Sequence, residues 1–303
     1  MMRRFLARLL RRMAYAVDPP APLLQPASGA EIDGIKHDLL MPKYLYTSPL
    51  DYDLESHPPK YDPPVFLPGE ELPIPPPRCR PGYSPDDDQF YLKWGKDDHD
   101  FIIEIIRKHR RIERGLSVLD WGCSSGRVLR HFYASEHKTL GWHPHGTDIQ
   151  AYLVEWMRQN FPREIEVLSA STLPHLPYKD DSLDVIYGIS VFTHTKYLWD
   201  AWLSEFRRVL RPGGLVIQTV QCEYAWRFYH ENRHLDWVQA GHPAWMLEQP
   251  RMANAYFLYG DAFVSQTFFQ EETIKRYWGR IMEVVDFLPP RAGQYQNWIV
   301  LRA

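Results

Sequence analysis

The sequence predicts an α/β fold, a doubly wound and mostly parallel sheet with helices on both faces. Three observations carry this. A buried apolar run ends in a glycine-bearing turn over Val118–Arg127. Helix-spaced stretches then alternate with a strand end at Gly146–Ile149 and an apolar run at Leu183–Ile189. A further helical stretch, Trp202–Leu210, is stopped by Pro212-Gly213-Gly214 and followed by the strand-like run Leu215–Val220. Strands alternating with helices in this way build parallel sheets.

The elements follow in order. Residues 1–16 hold five arginines and no acid, with Phe5, Leu6, Leu9, Leu10 and Met13 at helical spacing. Such a basic amphipathic helix suits an anionic membrane surface or a partner, and its apolar stretches are too short to span a bilayer. Residues 17–89 form a Pro-rich segment, with 17 of the 26 prolines between 18 and 88. Proline at that density prevents regular helix and interior strand, while the interspersed tyrosines favour an extended arm wrapped over the domain. Asp97-Asp98 is a candidate cap for a helix running to about Ile112, with Phe101, Ile102, Ile105 and Ile106 inward. The first strand and its turn come next, then a helical stretch Val128–Phe132 and a second strand ending at Asp148. After the fifth strand, residues 222–268 form an aromatic-rich insertion, followed by a helix over Thr267–Trp278 and strands at Ile281–Phe287 and Trp298–Leu301.

The residues inside the turn discriminate among ligands. A dinucleotide fingerprint aligned on Gly122 needs glycines at 124 and 127, where this chain has Ser124 and Arg127. No Gly-Lys-Ser/Thr follows, so the phosphate loop of nucleotide hydrolases is excluded as well. Asp120 adds a carboxylate at the strand end that would repel a pyrophosphate. A cationic ligand without phosphates suits this turn better.

The pattern Asp120-x-Gly122-x-Ser124-x-Gly126 resembles the first motif, D-x-G-x-G-x-G, of the S-adenosylmethionine-dependent methyltransferases with a Rossmann-like fold. Ser124 stands where that motif has glycine. Two later blocks also resemble the family: Leu176–Asp184, running into Ser190-Val191-Phe192-Thr193-His194, and Trp202–Gly214. The resemblance covers roughly residues 90–221, extends weakly to the end of the chain, and is closest to bacterial enzymes of small-molecule and glycan pathways. It implies a seven-stranded sheet, S-adenosylmethionine as cofactor and a methyltransferase domain over residues 90–303, with 222–268 as a cap over the acceptor. It also implies a cofactor site of Asp120, Gly122, Cys123, Ser124, Gly126, Asp148, Ile149 and Ser190. Asp148 would take the ribose hydroxyls and Ile149 the adenine face. After strand three, where the family has an acid or Asn for the adenine edge, this chain offers Ser169 and Ser171.

Methyl transfer from a sulfonium is a direct displacement, so alignment dominates. For a hydroxyl acceptor a general base adds about 10²–10⁴-fold. His194, just after the fourth strand, is the candidate base; the alternative for it is a structural hydrogen bond to a neighbouring loop. The acceptor expected is a hydroxyl of a small molecule or a glycan. An alternative is a catalytically degenerate domain that binds a partner, in reach of a membrane through residues 1–16.

Composition bounds the rest. A net charge of −3 leaves no nucleic-acid footprint. The Asn/Asp-Pro-Pro-Tyr motif of base methyltransferases is replaced by Ile189-Ser190-Val191-Phe192. Three scattered cysteines, Cys79, Cys123 and Cys222, fit a reducing cytoplasm rather than a disulfide framework. His230 and His234 are four residues apart, yet no H-E-x-x-H pattern contains them and no metal site is expected.

Overall fold

The computed structural model describes residues 64–80, 87–253, 256–259 and 265–303. The basic helix expected at 1–16 and most of the Pro-rich arm lie outside the described residues.

Seven strands form the sheet: β1 Ser117–Trp121, β2 His143–Asp148, β3 Glu166–Ser169, β4 Leu183–Gly188, β5 Leu210–Val220, β8 Glu283–Leu288 and β9 Asn297–Arg302. Their order is β3-β2-β1-β4-β5-β9-β8. β1 to β5 are parallel, and β9 runs antiparallel to both of its neighbours. The strand order reverses direction between β1 and β4, the place where open α/β sheets bind ligands at their carboxyl ends.

Both faces are covered. Helix α1 (Asp88–His109) lays Ile102, Ile105 and Ile106 on Val118, Tyr187, Ile217 and Val300 of one face. The other face, through Leu119, Trp121, Ile186 and Val216, meets Trp202 and Phe206 of α4 (Trp199–Val209) and Ile274 of α8 (Glu271–Tyr277). Alternation of these residues along each strand is the period-two pattern that lets one strand face two layers.

Helix α1 begins earlier than the expected Asp97-Asp98 cap. Its cap is Asp87, whose side chain accepts from the Phe90 amide at 2.8 Å. The helix opens at Asp88, ahead of the expected domain start, and Asp98 sits inside it, buried. Gly95 explains the helix's position: a Cβ there would lie 2.1 Å from the Arg127 carbonyl oxygen, so only glycine allows α1 to rest on the chain leaving the turn.

That chain is not the α-helix expected at Val128–Phe132. It is a 3-10 segment, Leu129–Tyr133, followed by the short α2 (Ser135–Leu140). The His131 amide donates to the Val128 carbonyl, a tighter turn than α. The buried Arg130 guanidinium is drawn to the carbonyls of Leu72 and Pro73 and to Glu70. This anchors residues 64–80 of the Pro-rich arm against the sheet's flank, with Leu72, Ile74 and Cys79 buried.

Helix α3 (Ala151–Asn160) follows β2 and packs Leu153, Val154 and Met157 on Val167 and Leu129. The Arg-Pro-Gly-Gly stop is a bulge within β5: pairing with β4 jumps from Leu183↔Leu210 to Val185↔Leu215. The insertion after β5 folds as α5 (Glu223–Glu231), α6 (Asp236–Gly241), α7 (Ala244–Leu247) and the hairpin β6 (Tyr256–Tyr259) and β7 (Gln266–Phe269). It has its own core, including Trp226, Tyr229, Val238, Met246 and Phe268. The helix expected from Thr267 is therefore a strand up to Phe269, as the Thr-Phe-Phe run favours, and α8 follows it. Because α5 ends at Glu231, His230 and His234 do not share a helical face, and His230 Nδ1 instead donates to the Leu247 carbonyl.

Candidate functional site

The glycine turn hangs from the end of β2. The amides of Gly122 and Cys123 both donate to the Thr147 carbonyl, at 2.7 and 3.0 Å. Gly122 and Gly126 have φ of +77° and +81°. A Cβ at Gly122 would meet Val191 at 2.4 Å, and one at Gly126 would meet Phe161 at 2.7 Å. Both glycines are thus required by conformation and by space.

Ser124 has φ +51°, a left-handed conformation that costs an L-residue roughly 1–2 kcal/mol. What holds it there is Asp148, whose Oδ2 accepts from the Ser124 amide at 2.7 Å. The other oxygen, Oδ1, accepts from the Gln150 amide at 2.8 Å. The buried carboxylate clamps the turn and the strand end together. Ile149 is half-buried beside it.

Asp120 lies on β1 between Gly146 and Tyr187 in register, on the face covered by α1. It is buried, and desolvation raises its pKa to about 7, opposed by the Tyr187 hydroxyl and the Arg127 guanidinium. Cys123 is buried, and loss of solvent pushes its thiol well above the ordinary range, so it is an unreactive small residue.

A cleft of about 110 Å³ opens at the ends of β4 and β5, room for one end of a ligand rather than a whole nucleoside. Its walls are Trp94, Asp98 and Arg127 on one side, Ile189, Ser190 and Thr219 at the strand ends, and residues 293–296 of the loop before β9. Sequence reasoning placed Ser190 and, through the turn, the neighbourhood of Arg127. It missed Asp98, Thr219 and the whole β8–β9 loop. Asp98 is the organiser of one wall. Its Oδ2 pairs with Arg127 at 2.8 Å, its Oδ1 with Arg291 at 2.9 Å, and Gln294 donates to Oδ1 at 3.1 Å. Ser190 has φ +63°; its amide donates to Thr219 Oγ1 and its hydroxyl oxygen accepts from Gln296.

Of the site residues expected from the sequence, Ser190 lines this cleft, while Asp120, Gly122, Cys123, Ser124, Gly126, Asp148, Ile149 and His194 do not. His194 follows the turn after Ser190 and faces the start of β7. Its Nδ1 donates to the Ser265 carbonyl at 2.8 Å, which fixes the tautomer and leaves Nε2 as an acceptor. Burial lowers its pKa, so the neutral, proton-accepting form dominates near pH 7. Ser169 and Ser171 lie at the exit of β3, where the Ala170 amide donates to the Asp148 carbonyl. Among the described residues no group of three or more His, Cys, Asp or Glu could hold a metal ion.

Residues 119–218 match the model of a methyltransferase domain. That match runs from β1 to β5 of the sheet. It is 28% identical over 142 residues to malonyl-[acyl-carrier protein] O-methyltransferase of Yersinia pestis, a match covering 45% of this chain and 49% of that protein. It is 34% identical over 110 residues to a sterol 24-C-methyltransferase of Gibberella zeae, covering 34% of this chain and 27% of that protein. The chain thus spans about half, or less, of these two relatives. Among solved structures, PH0226 protein of Pyrococcus horikoshii OT3 has the same fold, with a TM-score of 0.51 at 17% identity, covering 74% of this chain and 96% of that one.

The buried groups give the domain opposed pH dependences. His99 and His131 are held at about 4 and about 3 by desolvation, below the usual 6.5. Their contribution is complete above pH 6.5 and is lost as pH falls toward 4. Asp120 is raised from 3.8 to about 7, so the folded chain holds a proton there that the unfolded chain releases, and stability falls as pH rises through that window. Asp120→Asn is therefore expected to gain stability relative to wild type between pH 5 and pH 8 in urea denaturation. An offset between the two proteins that does not change with pH would refute the buried-acid assignment.

Proposed function

We infer that this chain transfers a methyl group from S-adenosylmethionine to a hydroxyl of a small molecule or a glycan. The observation that carries the reading is the glycine turn clamped on Asp148; the cleft lies beyond it, bounded by Arg127 just past the turn, and that buried cation is paired with Asp98. Among the described residues that line the cleft, Arg127 is the cation and its charge is matched by Asp98, a poor setting for a phosphate, while the Asp148 carboxylate stands beside the turn.

The residues present fit that cofactor. The turn from Gly122 to Gly126 would carry its methionyl part, with Cys123 and Ser124 supplying backbone. Asp148 would take the ribose hydroxyls, and Ile149 would cover the adenine. S-adenosylmethionine supplies an activated methyl on a sulfonium. The protein's tasks are to place an acceptor oxygen in line with it and to remove the acceptor proton as the O–CH₃ bond forms and the S–CH₃ bond breaks, the electron pair staying on sulfur. His194 Nε2, neutral and oriented by Ser265, is the proposed proton acceptor for an acceptor that extends past the cleft, since His194 is not part of the cleft's lining. The catalytic domain in this reading is residues 90–303, with 222–268 covering the acceptor.

Calorimetric titration with S-adenosylhomocysteine tests the cofactor site. Absence of binding by the folded chain would favour a partner-binding domain that has lost catalysis, a reading the strained Ser124 supports. For the base, His194→Ala is expected to lower kcat by about 10²-fold or more without a matching change in S-adenosylhomocysteine affinity. An unchanged kcat would exclude His194 from proton transfer.

A further inference from the structure

The floor of the cleft is a closed ring of uncharged hydrogen-bonding groups. Thr219 Oγ1, on β5, accepts from the Ser190 amide at 2.6 Å and donates to Gln296 Oε1 at 2.6 Å. Gln296 Nε2 donates to Ser190 Oγ at 2.8 Å, which closes the ring. Both atoms of the Gln296 side-chain amide are therefore pinned. One N–H and one oxygen lone pair remain, and Gln296 lines the cleft. Ser190 adopts a left-handed φ of +63° to take part. Such a conformation persists only where the surroundings over-determine it, and it clusters at ligand sites.

Nothing in the floor carries a net charge. Among the described residues that line the cleft, the ions are Asp98 and Arg127, paired with each other at 2.8 Å, and Asp98 is shared with Arg291. Trp94 and Tyr295 add aromatic surface to the same walls. Tyr295 is itself stacked on Phe228 of the cap helix α5, with centroids 5.4 Å apart and planes at 22°, so the loop joins the strand ends to the cap.

We propose that the β8–β9 loop reads the methyl acceptor, with Gln296 as the specificity-determining residue, and that it selects an uncharged hydroxyl compound with a ring or other apolar face beside the reacting group. The proposal rests on the methyl-transfer reading above and narrows its acceptor. A carboxylate acceptor would bring a charge that no group on the floor neutralises, and an ammonium acceptor would find only a carbonyl-type oxygen. An alcohol can both donate to Gln296 Oε1 and accept from its free N–H.

Benzyl alcohol, benzoate and benzylammonium, matched in size and differing in charge, are the probes. Each is titrated by saturation-transfer NMR into the chain loaded with S-adenosylhomocysteine, as wild type, Gln296→Leu and Gln296→Glu. Circular dichroism and S-adenosylhomocysteine affinity report whether each variant is folded. Wild type is expected to bind benzyl alcohol ahead of both ions. Gln296→Leu should weaken that binding about fivefold or more, the scale of one neutral hydrogen bond. Gln296→Glu keeps the shape and can still accept from Thr219, and should reverse the order so that benzylammonium binds best. A wild type that prefers either ion, one that binds no probe, or the same order in all three proteins would overturn the proposal while leaving methyl transfer standing. A wild type that does not bind S-adenosylhomocysteine would remove the methyl-transfer reading, and this inference with it.

Discussion

Asp148→Ala is expected to weaken S-adenosylhomocysteine binding by about 100-fold or more, measured by calorimetry. Two effects combine. The carboxylate is the proposed partner of the ribose hydroxyls, and hydrogen bonds to a charged group contribute about 1.5–3 kcal/mol each. Two such bonds correspond to a factor of about 100 or more in affinity. The same carboxylate also holds the Ser124 and Gln150 amides, so its removal releases the turn that receives the ligand. Asp148→Asn separates the two contributions. Its amide oxygen keeps one backbone acceptor and loses the charge, so it should bind more tightly than the alanine variant and less tightly than wild type. Equal affinities for all three proteins would show that Asp148 serves the turn's shape and no ligand.

The legible part of this fold was the part fixed by short-range chemistry. The β1 turn could be read because glycines at 122 and 126 have no substitute where a Cβ would strike Val191 or Phe161. The end of β4 could be read, one residue late, because the apolar run 183–189 stops there, and the end of β2 because Asp148 falls 22 residues past Gly126, where nucleotide-binding α/β folds place an acid. The 3-10 segment after the turn was missed because Val128-Leu129-x-x-Phe132 spacing satisfies three residues per turn as well as 3.6. What decides between them is Arg130 reaching the arm at residues 70–73, a contact invisible along the chain. The β8–β9 loop was missed for a different reason. Gln294 and Gln296 are uncharged, belong to no motif and meet the cleft only because β9 inserts beside β5. Asp98 was read as a cap since it sits in the polar run Lys96–Asp100. Nothing local marks it as the member of that run that is buried against an arginine almost thirty residues further on.

That arginine supplies the second large effect. Asp98 and Arg127 have side chains only 3% and 5% exposed, so neither charge has water to fall back on. Asp98→Ala leaves Arg127 buried without its carboxylate, and breaking one half of such a pair costs about 3–5 kcal/mol. Urea denaturation should show that loss with an unchanged m-value. Arg291, 26% exposed, can turn to solvent and adds little. The double variant Asp98→Leu with Arg127→Met removes both charges and should recover most of the loss, since a well-packed apolar pair can replace a buried ion pair at little or no cost. If the double variant is stable yet binds S-adenosylhomocysteine less tightly than wild type, the ion pair is kept for the cleft's shape rather than for folding. Asp98 is the junction of α1, the glycine turn and the β8–β9 loop, so without it those three walls have no common anchor. If instead Asp98→Ala unfolds at the same urea concentration as wild type, Arg127 has found another partner and the wall does not depend on this carboxylate.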